Sequence, residues 1–168
     1  VKRQICTISE DYTGVIFVKG GDRFQNVYMF HPSIPSTLFK VSLPLLLKQS
    51  GYHTYMVGKW HMGKAPDLIP AARGFERDFS LLDGAGSYWD MTSFTAANPK
   101  SVYTEDGKYL IELPDDYYAT KTYTDKLIGF IEDSRKDGKP FFAYVSEQAP
   151  HDPYHLPRDW RNRHVGEY

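Results

Sequence analysis

The sequence predicts an α/β fold in which a largely parallel sheet is flanked by helices. Two stretches support this prediction, because residues 42–57 and 116–145 each read as a helix followed directly by a short apolar strand. Helices alternating with strands are typical of α/β proteins with parallel sheets. A length of 168 residues suits a single domain or a piece of a larger one. Residues 1–41 are harder to interpret than residues 42–168.

The first predicted helix covers residues 42–51. Ser42 is a suitable N-cap, Pro44 is tolerated in the first turn, and Gly51 can end the helix in a left-handed conformation. The apolar run at 53–57 then predicts a strand.

The second predicted helix covers residues 116–137. Its apolar face is assigned to the following positions: Tyr118, Thr122, Leu127, Ile128 and Ile131. Gly138 ends this helix. The continuous apolar run at 141–145 predicts a strand with both faces covered.

The remaining segments give weaker patterns. Residues 64–115 read as long loops with a hairpin at 102–110, where Asp106-Gly107 is a two-residue turn signal. Near the N-terminus, strands are expected at 5–8, 15–18 and 24–30, with a turn at Gly20-Gly21. Long loops in a compact domain are usually functional or belong to a larger assembly.

Composition narrows the range of partners. The formal net charge is −1, and no basic stripe occurs, so nucleic acid is not an expected partner. No apolar run is long enough to cross a membrane, and no signal-peptide pattern opens the chain. The single cysteine, Cys6, forms no internal disulfide and reads as a buried strand residue. The sequence assigns neither a compartment nor an oligomeric state.

Polar residues follow the two predicted strands. Lys59 and His61 follow the first strand and His151 follows the second, so parallel strands would bring all three to one edge of the sheet. In an extended segment Lys59 and His61 would face one way and Trp60 the other. A cation beside a titratable ring suits the binding and cleavage of an oxyanion ester. The alternative is a surface lysine and hydrogen-bonded loop histidines.

A zinc site is not expected from the histidine spacing. His151 and His155 are four residues apart, which on a helix would place them on one face. Pro153 lies between them and breaks a helix.

Several motifs in fixed order carry a family resemblance over residues 42–168. They are GKWHMG at 58–63, ARGFER at 72–77, LDGAG at 82–86, YTEDG at 103–107, LPDDYY at 113–118, KPFFAYV at 139–145 and APH at 149–151. With these motifs the chain resembles the sulfatases, and especially the bacterial arylsulfatases of the alkaline phosphatase superfamily. The resemblance implies part of an alkaline-phosphatase-like sandwich, as a fragment of the large catalytic domain.

The resemblance also implies roles for three residues. Lys59 matches the lysine that bridges the sulfate and the nucleophile, and His61 matches the histidine that helps to break down the sulfated intermediate. His151 matches the histidine at the ester and leaving-group oxygen. The implied substrate is a small-molecule sulfate ester, hydrolysed to an alcohol and sulfate.

The family's nucleophile and metal are less well matched. The nucleophile is a formylglycine made from Cys or Ser in a Cys/Ser-x-Pro-Ser-Arg pattern, and here Ser33 begins a similar run in which Thr37 replaces the arginine. The family's calcium ion is held by an early Asp pair and a late Asp-Asn pair. Glu10-Asp11 is a faint counterpart of the early pair, and no Asp-Asn pair occurs, so no metal ligand is assigned.

Three functions therefore remain open. The first is sulfate ester hydrolysis of the aryl sulfate type. The second is a non-catalytic remnant that binds anions or sulfated ligands, which the altered nucleophile pattern favours for this chain. The third is a phosphatase or phosphodiesterase of the same superfamily.

Overall fold

A six-stranded sheet forms the centre of the described chain. The computed structural model describes residues 15–19, 42–94 and 98–164. The strands are β1 Val15–Lys19, β2 His53–Lys59, β3 Arg77–Leu81, β4 Tyr103–Glu105, β5 Lys108–Tyr109 and β6 Phe141–Ser146. The helices are α1 Leu43–Gln49, α2 Ala119–Ser134 and α3 Arg158–Arg161, with 3-10 segments at Pro70–Arg73, Arg135–Asp137 and Asn162–His164.

The strand order is β1-β6-β2-β3-β4-β5. Strands β6, β2 and β3 are parallel to one another, with Tyr55 opposite Ala143 and Val57 opposite Phe79. The outer strands pair in antiparallel fashion, β1 with β6, β4 with β3 and β5 with β4. The predicted α/β class is confirmed, with the parallel pairing concentrated in the three central strands.

Both faces of the sheet are covered, and alternate residues of β2 supply the two cores. Tyr55 and Val57 pack on the α2 side with Phe79, Tyr123 and Phe130. Met56 packs on the other side in a cluster with Phe75, Phe142 and Tyr144, which Leu43 and Leu47 of α1 cover. The central strands are therefore held in place from both sides, which fixes the position of the residues at their ends.

The first helix and strand form as predicted. The Ser42 hydroxyl accepts a hydrogen bond from the Leu45 N–H at 3.4 Å, and Gly51 adopts a φ of 85° just after α1. Strand β2 continues two residues beyond the predicted end, so Lys59 is its last residue.

The second helix is shorter than predicted, and its assigned apolar face is confirmed in part, since Leu127 and Ile131 pack against the core. It begins at Ala119, and its buried residues are Ala119, Tyr123 and Phe130. Ile128, which was assigned to the apolar face, is 49% exposed. Gly138 follows the helical segment with a φ of 69°, as predicted.

Strand β3 was not predicted, because residues 64–115 were interpreted as loops and one hairpin. Its polar residues Asp78 and Ser80 are buried. The Asp78 carboxylate accepts hydrogen bonds from the Thr104 hydroxyl at 2.6 Å and from the Gly107 N–H at 2.8 Å. Tertiary hydrogen bonds thus make a polar sequence acceptable in a central strand.

The predicted hairpin is confirmed as β4 and β5, with Asp106 at φ 49° and Gly107 at φ 76° in the turn. The strand expected at 15–18 is confirmed as β1. The strands expected at 5–8 and 24–30, the turn at Gly20-Gly21 and Cys6 lie outside the described residues. Within the described part of the chain, no helix has the length and apolarity needed to span a membrane.

Candidate active site

A cleft lies at the carboxyl ends of the three parallel strands. Lys59 enters it from β2, and Gly84, Ala85, Gly86 and Tyr88 enter it from the segment after β3. Gln148, His151 and Asp152 enter it from the segment after β6. The topology therefore brings Lys59 and His151 together, although 92 positions separate them in the sequence.

Lys59 contributes the cation of this cleft. The side chain is half-buried, and it has no ion-pair or hydrogen-bond partner among residues 42–94 and 98–164. Burial lowers the pKa of the Lys59 ammonium group, because the charged form is partly removed from water. A half-buried ammonium group with no partner in the described part of the chain is suited to bind an anion.

His61 lies beside Lys59, but the backbone argument used to predict this was wrong. His61 has a φ of 51°, so the segment is not extended there. The alternation of side chains along a strand therefore does not extend to His61. Its ring instead lies against Gly84. Burial is the main cause that lowers the pKa of His61, followed by the positive charge of Lys59.

Trp60 points away from the cleft, as predicted. Its indole N–H donates a hydrogen bond to the Leu68 carbonyl at 2.9 Å, and its ring packs edge-on against Phe75 at a centroid distance of 6.0 Å. Trp60 thus anchors the end of β2 on the face opposite α2.

His151 is held by its own loop. Its Nδ1 lies 2.6 Å from the Asp152 carbonyl oxygen and 3.1 Å from the Asp152 carboxylate. Because both of these groups accept, Nδ1 carries the proton, which leaves Nε2 as the nitrogen able to exchange a proton with a ligand. The Tyr88 hydroxyl donates to the His151 carbonyl at 2.9 Å and ties this loop to the segment after β3.

Sequence reasoning missed Tyr88 and Gln148 as cleft residues. Burial raises the pKa of Tyr88 to about 12, so its hydroxyl remains a donor at neutral pH. The Gln148 amide donates to the Tyr123 hydroxyl at 3.0 Å, and Tyr123 accepts from Tyr117 at 3.2 Å. The only signal for these residues was their position, in or next to motifs that carry the family resemblance.

The described residues do not fit a metal site. Within residues 42–94 and 98–164, no three His, Cys, Asp or Glu side chains lie close enough together to hold a metal ion. His155 accepts a hydrogen bond from the Tyr88 N–H at 3.4 Å, and its ring packs against Phe94. Glu10, Asp11, Ser33 and Cys6, which were considered for metal binding or the nucleophile, lie outside the described residues.

Comparison with known proteins identifies the family. The family model of the sulfatases matches residues 20–168. This chain belongs to the sulfatase family. The family resemblance predicted from the motif order is thus confirmed.

Individual sulfatases are similar over most of this chain. The arylsulfatase of Klebsiella aerogenes is 36% identical over 123 residues, which are 72% of this chain and 26% of that protein. The N-acetylglucosamine-6-O-sulfatase of Bacteroides thetaiotaomicron is 37% identical over 130 residues, which are 74% of this chain and 18% of that protein. The matched part of the chain thus spans about a quarter of the first relative and less than a fifth of the second.

A solved structure agrees with the fold. The crystal structure of Ps i-CgsB in complex with k-i-k-neocarrahexaose matches with a TM-score of 0.58 and 25% identity. The match covers 69% of this chain and 28% of that one. The described sheet and helices therefore match part of the fold of that structure.

Proposed function

We propose that this chain supplies the sulfate-binding edge of a sulfatase, and that the protein hydrolyses a sulfate ester to an alcohol and sulfate. The observation that carries the proposal is the half-buried Lys59, unpaired among the described residues, in the same cleft as His151 and with His61 beside it. Aryl sulfates are the proposed substrate type, since an arylsulfatase is among the relatives.

Each of the three residues has a proposed part in the reaction. Lys59 pairs with the sulfate oxygens and offsets their charge. His151, when protonated at both ring nitrogens, donates the Nε2 proton to the ester oxygen as the alcohol leaves. His61, whose pKa is lowered by burial and by Lys59, is poised as a neutral base beside the bound sulfate, where it accepts a proton from a hydroxyl group. Formylglycine and calcium, which the family uses, have no fitting residues in the described chain and enter none of these steps.

A second candidate is a protein that binds sulfate without turning it over. The sequence favours it for this chain, because Thr37 stands where the nucleophile pattern requires arginine. An anion would then bind at Lys59 and His151 with no covalent step to follow.

A binding experiment on the 168-residue chain tests the shared part of both candidates. Titration with inorganic sulfate, followed by NMR, should show saturable binding that Lys59→Ala weakens about tenfold or more, as the loss of a charged hydrogen bond predicts. Lys136→Ala is the matched control, because Lys136 is exposed near Asp137 at the opposite edge of the sheet. Equal sulfate binding by the chain and by Lys59→Ala would contradict the proposal.

Turnover distinguishes the two candidates. We expect no measurable release of nitrophenol from a nitrophenyl sulfate by this chain alone. Robust release that disappears in His61→Ala would favour the enzyme over the non-catalytic binder. Mass spectrometry of the peptides containing Ser33 and Cys6 provides a parallel check, since a formylglycine at either position changes the peptide mass.

A further inference from the structure

The segment that carries His61 is tied to the end of β3 by a buried carboxylate. Asp83 is 4% exposed, and one of its carboxylate oxygens accepts a hydrogen bond from the Val102 N–H at 2.7 Å. The other oxygen forms an ion pair with the Lys64 ammonium group. Lys64 lies three residues after His61. The Asp83 carboxylate, which follows β3 and is bonded to the chain just before β4, therefore holds the segment that follows β2.

Gly84, the next residue, makes room for the His61 ring. A Cβ atom at this position would lie 2.5 Å from Nε2 and 2.6 Å from Cε1 of His61. Gly84 does not have a positive φ, so its backbone conformation is open to other residues. A side chain at this position would therefore have to displace the imidazole.

The charges around His61 come from three residues. The positive charges of Lys59 and Lys64 lower the pKa of the ring, and the negative charge of Asp83 raises it. Asp83 and Lys64 therefore act on the ring in opposite directions while they hold each other. Removal of either partner changes the charge next to His61 and releases the segment that carries it.

We propose that Asp83, Lys64 and Gly84 are positioning residues that set the location of the His61 imidazole beside Lys59. Gly84 provides the surface on which the ring lies. The Asp83–Lys64 ion pair fixes the segment after β2, which carries His61. This inference rests on the proposed role of His61, and it assigns no contact with the ester to the three residues.

NMR of the full 168-residue chain labelled at histidine tests the positioning directly. The His61 resonances are assigned by their loss in His61→Gln. The chain should show a nuclear Overhauser contact between the His61 ring and the Gly84 Hα atoms. Lys64→Met and Asp83→Asn should both weaken or lose this contact, and Gly84→Ala should displace the ring.

A pH titration of the same resonances supplies a readout of opposite sign. Asp83→Asn should lower the pKa of His61, because it removes the negative charge, and Lys64→Met should raise it, because it removes a positive one. Asp67→Asn is the matched control, because Asp67 is an exposed carboxylate in the same segment with no ion pair among the described residues. It should change neither the contact nor the pKa.

The outcomes separate this inference from the proposed function. Persistence of the ring contact in both Asp83→Asn and Lys64→Met would overturn the positioning role, whether or not sulfate binds. Unchanged sulfate binding in Lys59→Ala would overturn the proposed function, even if the ring contact depends on the ion pair. Should Asp83→Asn fail to fold, Lys64→Met decides alone, since the Lys64 side chain is 41% exposed.

Discussion

Gly58, the residue before Lys59, controls how closely the two central strands approach. It has a φ of 104°, and a Cβ atom at this position would overlap the backbone carbonyl of Ser146 in β6. Both the backbone conformation and the space therefore require glycine at this point. The consequence for the site is direct, because the next residue is Lys59 and the loop after Ser146 carries His151.

Replacement of Gly58 by alanine should destabilise the fold. The unfavourable φ alone costs about 1–3 kcal/mol for a residue with a Cβ, and the overlap with a backbone atom adds to it. The free energy of unfolding in urea gives the measurement.

Gly129→Ala is the matched control for Gly58→Ala. Gly129 lies in α2, and nothing is within 4 Å of its Cβ position, so alanine should stabilise the helix by about 0.5–1 kcal/mol. Equal stability of the two variants would contradict the account of Gly58.

At the scale of elements, α2 is placed by a few large side chains rather than by a regular apolar stripe. Tyr123 and Phe130 are buried, and Leu127 and Ile131 pack at the border of the same cluster. Tyr123 also reaches Gln148 in the cleft through a hydrogen bond of 3.0 Å. The packing of this helix on the sheet thus supports a residue at the end of β6.

The face of α2 can be tested with two truncations. Phe130→Ala should destabilise the protein by about 3–5 kcal/mol, because Phe130 is 3% exposed and its ring also packs at a tilt against the Tyr55 ring. Ile128→Ala should cost less than about 1 kcal/mol, because that side chain is 49% exposed. Urea unfolding of both variants gives the comparison, and a larger effect for Ile128→Ala would show that the helix presents the face first expected from the sequence.

At the scale of the whole molecule, one histidine joins three elements at the edge opposite the cleft. His53 begins β2, and its Nδ1 and Nε2 lie 2.8 Å from carboxylate oxygens of Glu76 and Asp137, respectively. Since a carboxylate only accepts, both ring nitrogens donate and the imidazolium form is favoured. Burial opposes this charge, but the hydrogen bonds and charges of Glu76 and Asp137 outweigh it and raise the pKa of His53 above 6.5.

The stability of the protein should therefore depend on pH through His53. The contribution of charged His53 to the free energy of unfolding is fully present below its unfolded-state pKa of 6.5. It is lost as the pH rises through the higher folded-state pKa. Between about pH 6 and about pH 9, His53→Gln should reduce the loss of stability on alkalinisation, by about 1 kcal/mol or less because the site is partly open to solvent. Urea unfolding at both pH values measures it.

His61→Gln is the control for this pH dependence. The pKa of His61 is lowered in the fold, so its contribution to stability falls as the pH drops below 6.5. Its replacement should reduce the loss of stability on acidification, between about pH 7 and about pH 5. The same change of pH dependence in both variants would contradict the assignment of His53 as an ion-paired imidazolium.

Local signals in the sequence determined those elements whose conformation depends on residues close to one another in the chain. Ser42, Pro44 and Gly51 define α1 through capping and backbone conformation, and Asp106-Gly107 defines the hairpin turn. The apolar runs gave β2 and β6, because strands covered on both faces lose their polar alternation. The order of the motifs determined the family.

Only the tertiary structure decided β3, the exposure of Ile128 on α2 and the location of the His61 ring. Asp78 and Ser80 make β3 look like a loop, and it is the contacts with Thr104 and Gly107 that satisfy the buried carboxylate of Asp78. The ring of His61 lies where Gly84 leaves space. His61 itself has a left-handed backbone, so the alternation of side chains along a strand does not predict where its ring points. Sequence patterns report the hydrophobic period of a single element. Hydrogen bonds and close contacts between distant segments depend instead on how the elements pack. That packing placed Lys59 and His151 in one cleft.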